Sequence, residues 1–331
     1  MGENNGLGRS ILEGRWGRLG MILMIFLLSA AVARGAQYPA KTVQIVNPYP
    51  PGGTTDIVSR ILTDKLSSLL GQPVVVVNKT GGGGTIGIQS VKDGAADGYS
   101  ILVAPPPIAL IPIVSKVAFS LKDFTAINMA ASSPSMIIVK NDAPWRTLED
   151  LIAEAKKNPG KLSYSSGGPR TTPHFAGELF KMVTGTDLTH VPMNGEVQAA
   201  TSVLGGHTNV SFLSLGSIQS HIEARTLRAL AVAYRKRLQT FPNIPTTAER
   251  GYDKLNISVW IGYFVPAKTP RAVTNKLAEV FDQALQDKQI IEKIEKAKVT
   301  IENQGPDEAA KFLTEEHEKW SEVARVAGIT Q

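Results

Sequence analysis

Residues 48–60 read PYPPGGTTDIVSR and mark a junction between a strand and a helix. The apolar, β-branched run TVQIV (42–46) precedes them, and residues 56–70 carry apolar side chains at helical spacing. The residues available to cap this helix are Thr54, Thr55 and Asp56. A Gly-rich turn before a helix leaves backbone N–H groups unpaired at the positive end of the helix dipole, which suits an anion. The alternative is an ordinary strand-to-helix turn whose glycines only permit a sharp bend.

The alternation of strand and helix continues along the chain. The predicted strands are 42–46, 73–78, 99–104, 162–166, 188–193, 208–213 and 228–233, and the predicted helices are 56–70, 85–92, 147–162, 174–185 and 196–204. An extended segment follows at 258–270, and the pattern after it is helical. This order is typical of an α/β fold with parallel strands covered by helices.

The chain is long enough for two domains, since a single core seldom serves roughly 300 residues. The pattern predicts that the chain builds one α/β unit, builds a second and returns to the first. We expect domain 1 at 34–138 and 264–331, and domain 2 at 139–263. Crossing segments near 125–140 and 255–266 would form the hinge. Ligands of open α/β sheets bind at the carboxyl ends of strands, so a cleft between two such domains would face the turn at 48–60.

Residues 1–33 have the composition of a cleaved signal peptide. Three arginines precede the apolar run MILMIFLLSAAVA (21–33), which ends in a small-x-small site. Thirteen apolar residues are too few to span a bilayer comfortably. The chain has no cysteine, which excludes disulfides and a lipid-modified cysteine anchor. We therefore expect an exported, free periplasmic protein.

Charge and motifs argue against several other classes of function. The formal net charge of +6 would fall to +5 without residues 1–33, which carry three Arg and two Glu. There is no basic cluster of the kind that binds nucleic acid. TGGGGTIG (80–87) lacks the Lys-Ser/Thr of a phosphate-binding loop, and neither a G-x-S-x-G elbow nor a metal motif is present. We expect no enzyme, no cofactor and no metal. A secreted hydrolase remains an alternative, with His174 near Ser165 and Ser166 as its best pair.

Six ordered segments resemble the Bug-type (Bordetella uptake gene) solute-binding proteins of tripartite tricarboxylate transporters, the TctC-like proteins. They are PYPPGGTTDIVSR (48–60), PVVVVNKTGGGGTIG (73–87), DGYSILVA (97–104), APWRTLEDLIAEAKKNPGKLSYSSGG (143–168), HVPMNGEVQAATSVLGGHTNVSF (190–212) and FPNIPTTAERGY (241–252). The resemblance implies a two-domain, type II periplasmic-binding-protein fold with a ligand cleft between the domains. It also implies that a small carboxylate is bound and delivered to the membrane subunits of a transporter, by a protein expected to be monomeric. A binding protein that signals through a sensor kinase is the alternative.

The resemblance places a ligand carboxylate between two loops. One is Pro51–Asp56, and the other is Ser165–Gly168 with the turn that leads to His174. Two helix N-termini from different domains would then point into one cleft and offer backbone N–H and hydroxyl groups. The predicted ligand-binding residues are Tyr49, Pro51, Gly52, Gly53, Thr54, Thr55, Asp56, Ser165, Ser166, Gly167, Arg170, Thr171, His174 and Asn194.

Departures from the family pattern bear on the choice of ligand. The guanidinium of Arg170 suits a second carboxylate, although a solvated surface arginine is the alternative. APPPIALIP (104–112) is either an apolar cleft wall or, as we prefer, a surface proline turn. Asn194 stands where the family commonly has Lys and offers an amide. Asp56 either bonds loop amides or meets a ligand amine, and Tyr49 either flanks the ligand or belongs to the core. Together these features favour an organic acid with an apolar body and a second carboxylate.

Overall fold

The structure is a computed structural model that describes residues 38–329. The predicted signal peptide, 1–33, therefore lies outside the described residues. Residues 38–40 belong to a separate N-terminal unit and form a short bent segment, and the compact unit begins at Lys41. Among the residues described, no helix combines the length and the apolar character needed to cross a bilayer.

The compact unit alternates strands and helices as the sequence predicts. Its strands are β1 (Val43–Asn47), β2 (Val74–Asn78), β3 (Ser100–Ala104), β4 (Phe124–Lys140), β5 (Ser163–Ser166), β6 (Thr189–Pro192), β7 (Val210–Ser214), β8 (Leu227–Val232), β9 (Ser258–Pro266) and β10 (Thr300–Gln304). Its α-helices are α1 (Thr54–Leu70), α2 (Thr85–Lys92), α3 (Pro107–Val114), α4 (Leu148–Lys157), α5 (Thr172–Thr184), α6 (Glu196–Leu204), α7 (Leu215–Glu223), α8 (Arg271–Leu285), α9 (Lys288–Lys296) and α10 (Pro306–Val326). Short 3-10 turns occur at Gly82–Gly84, Leu121–Asp123 and Ala248–Arg250.

The long strand β4 belongs to two sheets. Its first half lies in a sheet ordered β2-β1-β3-β9-β4-β10, in which β1, β2 and β3 run parallel. Its second half lies in a sheet ordered β8-β4-β7-β5-β6, in which β5 runs parallel to β6 and β7. We call the two sheets with their helices lobe 1 and lobe 2. The predicted hinge segment near 125–140 is thus a single continuous strand.

The strand register makes the carboxyl ends of both parallel sets face one gap. Ala104, the last residue of β3, pairs with Gly262, which pairs with Met129 of β4. Ser214, the last residue of β7, pairs with Ser135 of β4 from the opposite direction. Six residues of β4 separate these positions, roughly 20 Å of extended chain. The turns after β1, β2 and β3 therefore lie across a cleft from the turns after β5, β6 and β7.

Two helices pack into the cores of both lobes. In α3, Ile108 and Ala109 lie in the core of lobe 1, while Leu110 and Val114 lie in the core of lobe 2. The helix α10 contributes to both cores in the same way through its two ends. Our preferred reading of 104–112 as a surface proline turn is therefore wrong. Pro106 and Pro107 begin a helix, where proline is tolerated, and the apolar residues that follow are buried.

Candidate functional site

Loop 1 (residues 48–53) joins β1 to α1, and the N-terminus of α1 has no side-chain cap. Gly53 is the N-cap residue, and no side chain caps the helix. The prediction that Thr54, Thr55 and Asp56 act as caps is therefore wrong, because α1 begins at Thr54 and all three lie in its first turn. Their backbone N–H groups have no intrahelical acceptor. The exposed Thr54 hydroxyl has no hydrogen-bond partner among residues 38–329, so this end of α1 presents free donors next to exposed Pro51, Gly52 and Gly53.

The Asp56 carboxylate holds loop 1 against α1 and β2. Its Oδ2 accepts from the backbone N–H of Gly52 at 3.0 Å and from Arg60 Nε at 2.9 Å. Its Oδ1 accepts from Arg60 Nη2 and Asn78 Nδ2, both at 3.0 Å. The hydrogen bond from Arg60 is the main cause that holds the pKa of Asp56 well below its usual range. The buried carboxylate thus bonds a loop amide, the first of its two predicted roles, and it has no oxygen without a partner.

Two polar atoms buried beside loop 1 have no partner among the described residues. Asn47, the last residue of β1, accepts from Thr55 Oγ1 at 3.0 Å, but its Nδ2 donates to nothing. The Tyr49 hydroxyl is likewise buried without a partner, and burial raises its pKa. This hydroxyl lies against Gly84, where an added Cβ would stand 2.9 Å from the oxygen. Tyr49 therefore packs between loop 1 and the glycine turn after β2.

Loop 2 (residues 167–171) joins β5 to α5 and follows two fully buried serines at the end of β5. Ser165 Oγ donates to the carbonyl of Ala199 at 2.9 Å and accepts from Thr208, which directs it into lobe 2. Ser166 Oγ accepts from Gly168 N–H at 3.1 Å and lies 2.7 Å from His190 Nε2. The structure thus brings neither serine hydroxyl to the cleft. Both are engaged inside the lobe because β5 is an interior strand of the second sheet.

The end of loop 2 approaches the end of α3. Arg170 has a φ of 64°, in the left-handed region, and is exposed. Its Nη1 donates to Ser115 Oγ, just after α3, at 3.4 Å. Its backbone N–H donates to His174 Nδ1 at 3.0 Å. Thr171 is the N-cap residue of α5, and its hydroxyl donates to Gly168 O at 2.7 Å. With Pro173 lacking an N–H, Thr172 and His174 are left with free first-turn donors.

The turn after β6 adds a third segment at the same edge. Asn194 is exposed, and its side chain has no hydrogen bond among the described residues. Glu196 lies in the first turn of α6, where its charge complements the helix dipole. Its Oε2 accepts from Ser214 Oγ at 2.5 Å and Ser217 Oγ at 2.6 Å. Glu196 therefore ties α6 to the end of β7.

The predicted residues fall into three groups at the carboxyl ends of strands, one group in lobe 1 and two in lobe 2. Loop 1 with the first turn of α1 carries seven of them, β5 with loop 2 and the start of α5 carries six, and Asn194 stands alone. Sequence reasoning missed Asn47, Ser115 and His190. No motif marks them, but Asn47 directly follows an apolar strand, and a polar residue at such a position is a usable signal.

A cavity of about 220 Å³ beside β4 is lined by none of these residues. Tyr234, which follows β8, donates its hydroxyl to Glu302 of β10, and Ser132 of β4 donates to the same carboxylate. Trp260 and Phe312 supply its aromatic walls. The cavity therefore lies where the end of β8 meets β10, beside β4 and β9. Within the described chain, no three His, Asp or Glu side chains are grouped to hold a metal ion.

Two α/β lobes that share a strand and face each other through strand ends form a two-domain, periplasmic-binding-protein-like fold. The chain belongs to the TctC family, the tripartite tricarboxylate transporter family receptors, whose model matches residues 58–329. The resemblance to Bug-type binding proteins is thereby confirmed.

Individual relatives match over nearly the whole chain. Protein BugT of Bordetella pertussis is 32% identical over 318 residues, which cover 94% of this chain and 98% of BugT. A TctC solute-binding protein from Polaromonas, solved without ligand, superposes with a TM-score of 0.80 at 27% identity and covers 87% of this chain and 99% of its own. An R. palustris protein solved with adipate has a TM-score of 0.73 at 28% identity, and the match covers 88% of this chain and 99% of that protein's chain.

Proposed function

We propose that this protein is a periplasmic solute-binding protein that captures a small dicarboxylic acid between its lobes and delivers it to the membrane subunits of a tripartite tricarboxylate transporter. One observation carries the proposal: the free first-turn amides of α1 and α5 come from different lobes and face the same gap. A carboxylate between them would collect charge-assisted hydrogen bonds from both sides. Closure around the ligand would then be favoured because only the closed state makes both sets of contacts.

The second carboxylate is assigned to Arg170. Its guanidinium has one hydrogen bond of 3.4 Å and no carboxylate partner among the described residues. It reaches from lobe 2 to Ser115, at the end of the helix α3 that packs into both cores, so a ligand held there would lie at the junction of the lobes. The relative described with adipate supports a linear dicarboxylate as the ligand class.

A thermal-shift screen of the purified protein tests the ligand class. The panel holds mono-, di- and tricarboxylates, amino acids, neutral sugars and nucleotides. A ligand that binds only the folded state raises the unfolding midpoint, by more as its concentration rises above Kd. We expect shifts from dicarboxylates and none from sugars or nucleotides. A panel in which no carboxylate moves the midpoint contradicts the proposal.

Paired titrations test the role of Arg170. In Arg170→Ala, adipate binding should weaken by about tenfold, since a charge-assisted pair is lost, whereas hexanoate binding should change less than twofold. Arg225→Ala is the matched control, because Arg225 is also an exposed arginine with a positive φ, 54°. Equal losses for adipate and hexanoate would remove the second-carboxylate role.

A further inference from the structure

Three rings lie in a stack beneath loop 2. The Tyr164 and His190 rings are 4.8 Å apart, and the His190 and His174 rings are 4.1 Å apart at an angle of 16°. Tyr164 donates its hydroxyl to Glu178 Oε1 at 2.7 Å, which fixes the base of the stack on α5. The stack therefore connects β5, β6 and α5, the three elements that surround loop 2.

Each imidazole holds one half of loop 2. His190 Nε2 lies 2.7 Å from Ser166 Oγ, and this hydroxyl accepts the Gly168 N–H. His174 Nδ1 accepts the Arg170 N–H. The two imidazoles contact each other face to face, so the position of one constrains the position of the other.

Loop 2 needs such restraints because its backbone is strained. Arg170 adopts a left-handed φ of 64°, which a residue with a side chain adopts only at a cost of roughly 1 kcal/mol. A conformation of this kind persists only where its surroundings hold it. The Arg170 N–H bond to His174 is the contact that does so at this residue.

The bond at Arg170 requires a neutral imidazole, because a protonated Nδ1 has no lone pair to accept an N–H. Burial lowers the pKa of His174, and burial together with the charge of His174 lowers the pKa of His190 to about 4. The other charged groups facing the pair are Glu178, which favours protonation, and Lys181, which opposes it. Both rings are therefore neutral at pH 7.

We propose that His190 is the positioning residue of loop 2, holding the Ser166–Gly168 turn directly and the Arg170 amide through the stacked ring of His174. This inference deepens the proposed function, which assigns loop 2 to the ligand carboxylate. His190 itself touches no ligand and acts through the loop.

The exchange rates of the loop 2 amide hydrogens, measured in the ligand-free protein, test the positioning role of His190. In His190→Phe the ring stack is kept and the bond to Ser166 is lost, so the Gly168 and Arg170 amides should exchange about tenfold faster. His190→Gln keeps a hydrogen-bonding group and should restore part of the protection. The matched control is His221→Phe, because His221 also contacts a hydroxyl, Thr226 Oγ1 at 3.3 Å, but lies on α7.

The pH dependence of the same amides is a second readout. The Arg170 amide should be protected at pH 7 and lose protection as the pH falls below 6.5 and His174 takes up a proton. Unchanged exchange of Gly168 and Arg170 in His190→Phe overturns the proposal. So does an equal loss of protection throughout lobe 2, which would show general destabilisation.

Adipate titrations then connect the loop to binding. Affinity should fall about tenfold in His190→Phe and stay unchanged in His221→Phe. The double variant Ser166→Ala/His190→Phe should be no weaker than the more affected single variant, because both changes remove the contact between Ser166 and His190. Faster exchange with unchanged affinity overturns the role in binding. If the wild-type protein binds no carboxylate, the proposed function fails, and the exchange data alone decide the positioning role.

Discussion

Asp56 shows how a residue that looks like a ligand contact can serve the loop instead. A free carboxylate beside the α1 N-terminus would repel a carboxylate ligand. Arg60 forms an ion pair with both carboxylate oxygens, and Asn78 donates a hydrogen bond to one of them. The side chain can therefore stay charged while buried. The same contacts leave the first-turn amides of α1 facing outward.

Asp56→Asn should therefore cost stability. We expect the free energy of unfolding at pH 7 to fall by about 1–3 kcal/mol, as the bonds from Arg60 and Gly52 lose their charged acceptor. Because folding lowers the pKa of Asp56, its contribution is complete above the unfolded pKa near 3.9 and is lost as the pH falls toward the folded value. Urea unfolding at pH 7 and at pH 3 measures both effects.

The control for this variant is Asp64→Asn, an exposed aspartate on the same helix without a partner among the described residues. It should leave the free energy of unfolding nearly unchanged at both pH values. A similar loss in both variants would mean that the network around Asp56 contributes little.

At this scale the sequence predicts residue types better than roles. Loop 1 is recognisable because glycine, proline and helix-start residues follow a strand, and their local chemistry is set within a few positions. The role of His190, in contrast, cannot be predicted from the local sequence. Its partners Ser166 and His174 come into contact with it only when β5, β6 and α5 pack together. Contacts between distant segments have no local sequence signal.

At the scale of elements, α5 and β5 pack very closely beside loop 2. A Cβ added at Gly177 would lie 2.2 Å from Tyr164 Cε2, so α5 approaches β5 closely only because this position has no side chain. Loop 2 runs directly into α5, and Tyr164 belongs to the ring stack. The spacing of this helix and strand therefore sets the position of loop 2.

Gly177→Ala should push α5 away from β5. We expect a loss of about 1–3 kcal/mol in the free energy of unfolding, since overpacking outweighs the better helix propensity of alanine. Binding of adipate should weaken as well, because loop 2 moves with α5. Calorimetric unfolding and titration measure the two effects.

Gly216→Ala provides the comparison. Gly216 lies in α7, and an added Cβ there meets nothing within 4 Å. This variant should be neutral or more stable by up to about 1 kcal/mol. Equal destabilisation of the two variants would exclude the close approach at Gly177 as the cause.

Most elements follow from periodicity alone, and the exceptions have physical reasons. α6 matches its predicted range, 196–204, and α2 matches 85–92. β10 was missed because TIENQ (300–304) is polar and half-buried at a sheet edge. α3 was missed because its prolines suggest a turn, although Pro106 and Pro107 stand at a helix start. α7 was missed because it follows β7 directly, with no loop residues between them to mark its start.

At the scale of the whole molecule, the two lobes share a strand and two helices. β4 is an interior strand of both sheets, and α3 and α10 contribute side chains to both cores. Neither lobe can lose its core without exposing part of the other. The sequence indicates this only through the return of the chain to its first unit, and the exact domain boundaries stay a prediction.

Unfolding should accordingly proceed in a single transition. Variants that keep only Trp145, packed on the core of lobe 2, or only Trp260, buried in lobe 1, should report the same urea midpoint. Tryptophan fluorescence follows each lobe separately. Two separated midpoints would contradict the shared core.

The place of β4 in the chain also orders events during synthesis. Phe124 pairs with Pro266, and Thr300 pairs with Ser132, so the neighbours of β4 in lobe 1 are made long after β4 itself. Until they emerge from the ribosome, β1, β2 and β3 have no strand to connect them to β4. Such distant pairings make folding slow, because the entropy of closing a long loop is lost before the contacts that stabilise the pairing can form. The lobe that is translated first is thus completed last, because its sheet lacks β9 and β10 until residues 258–304 have been made.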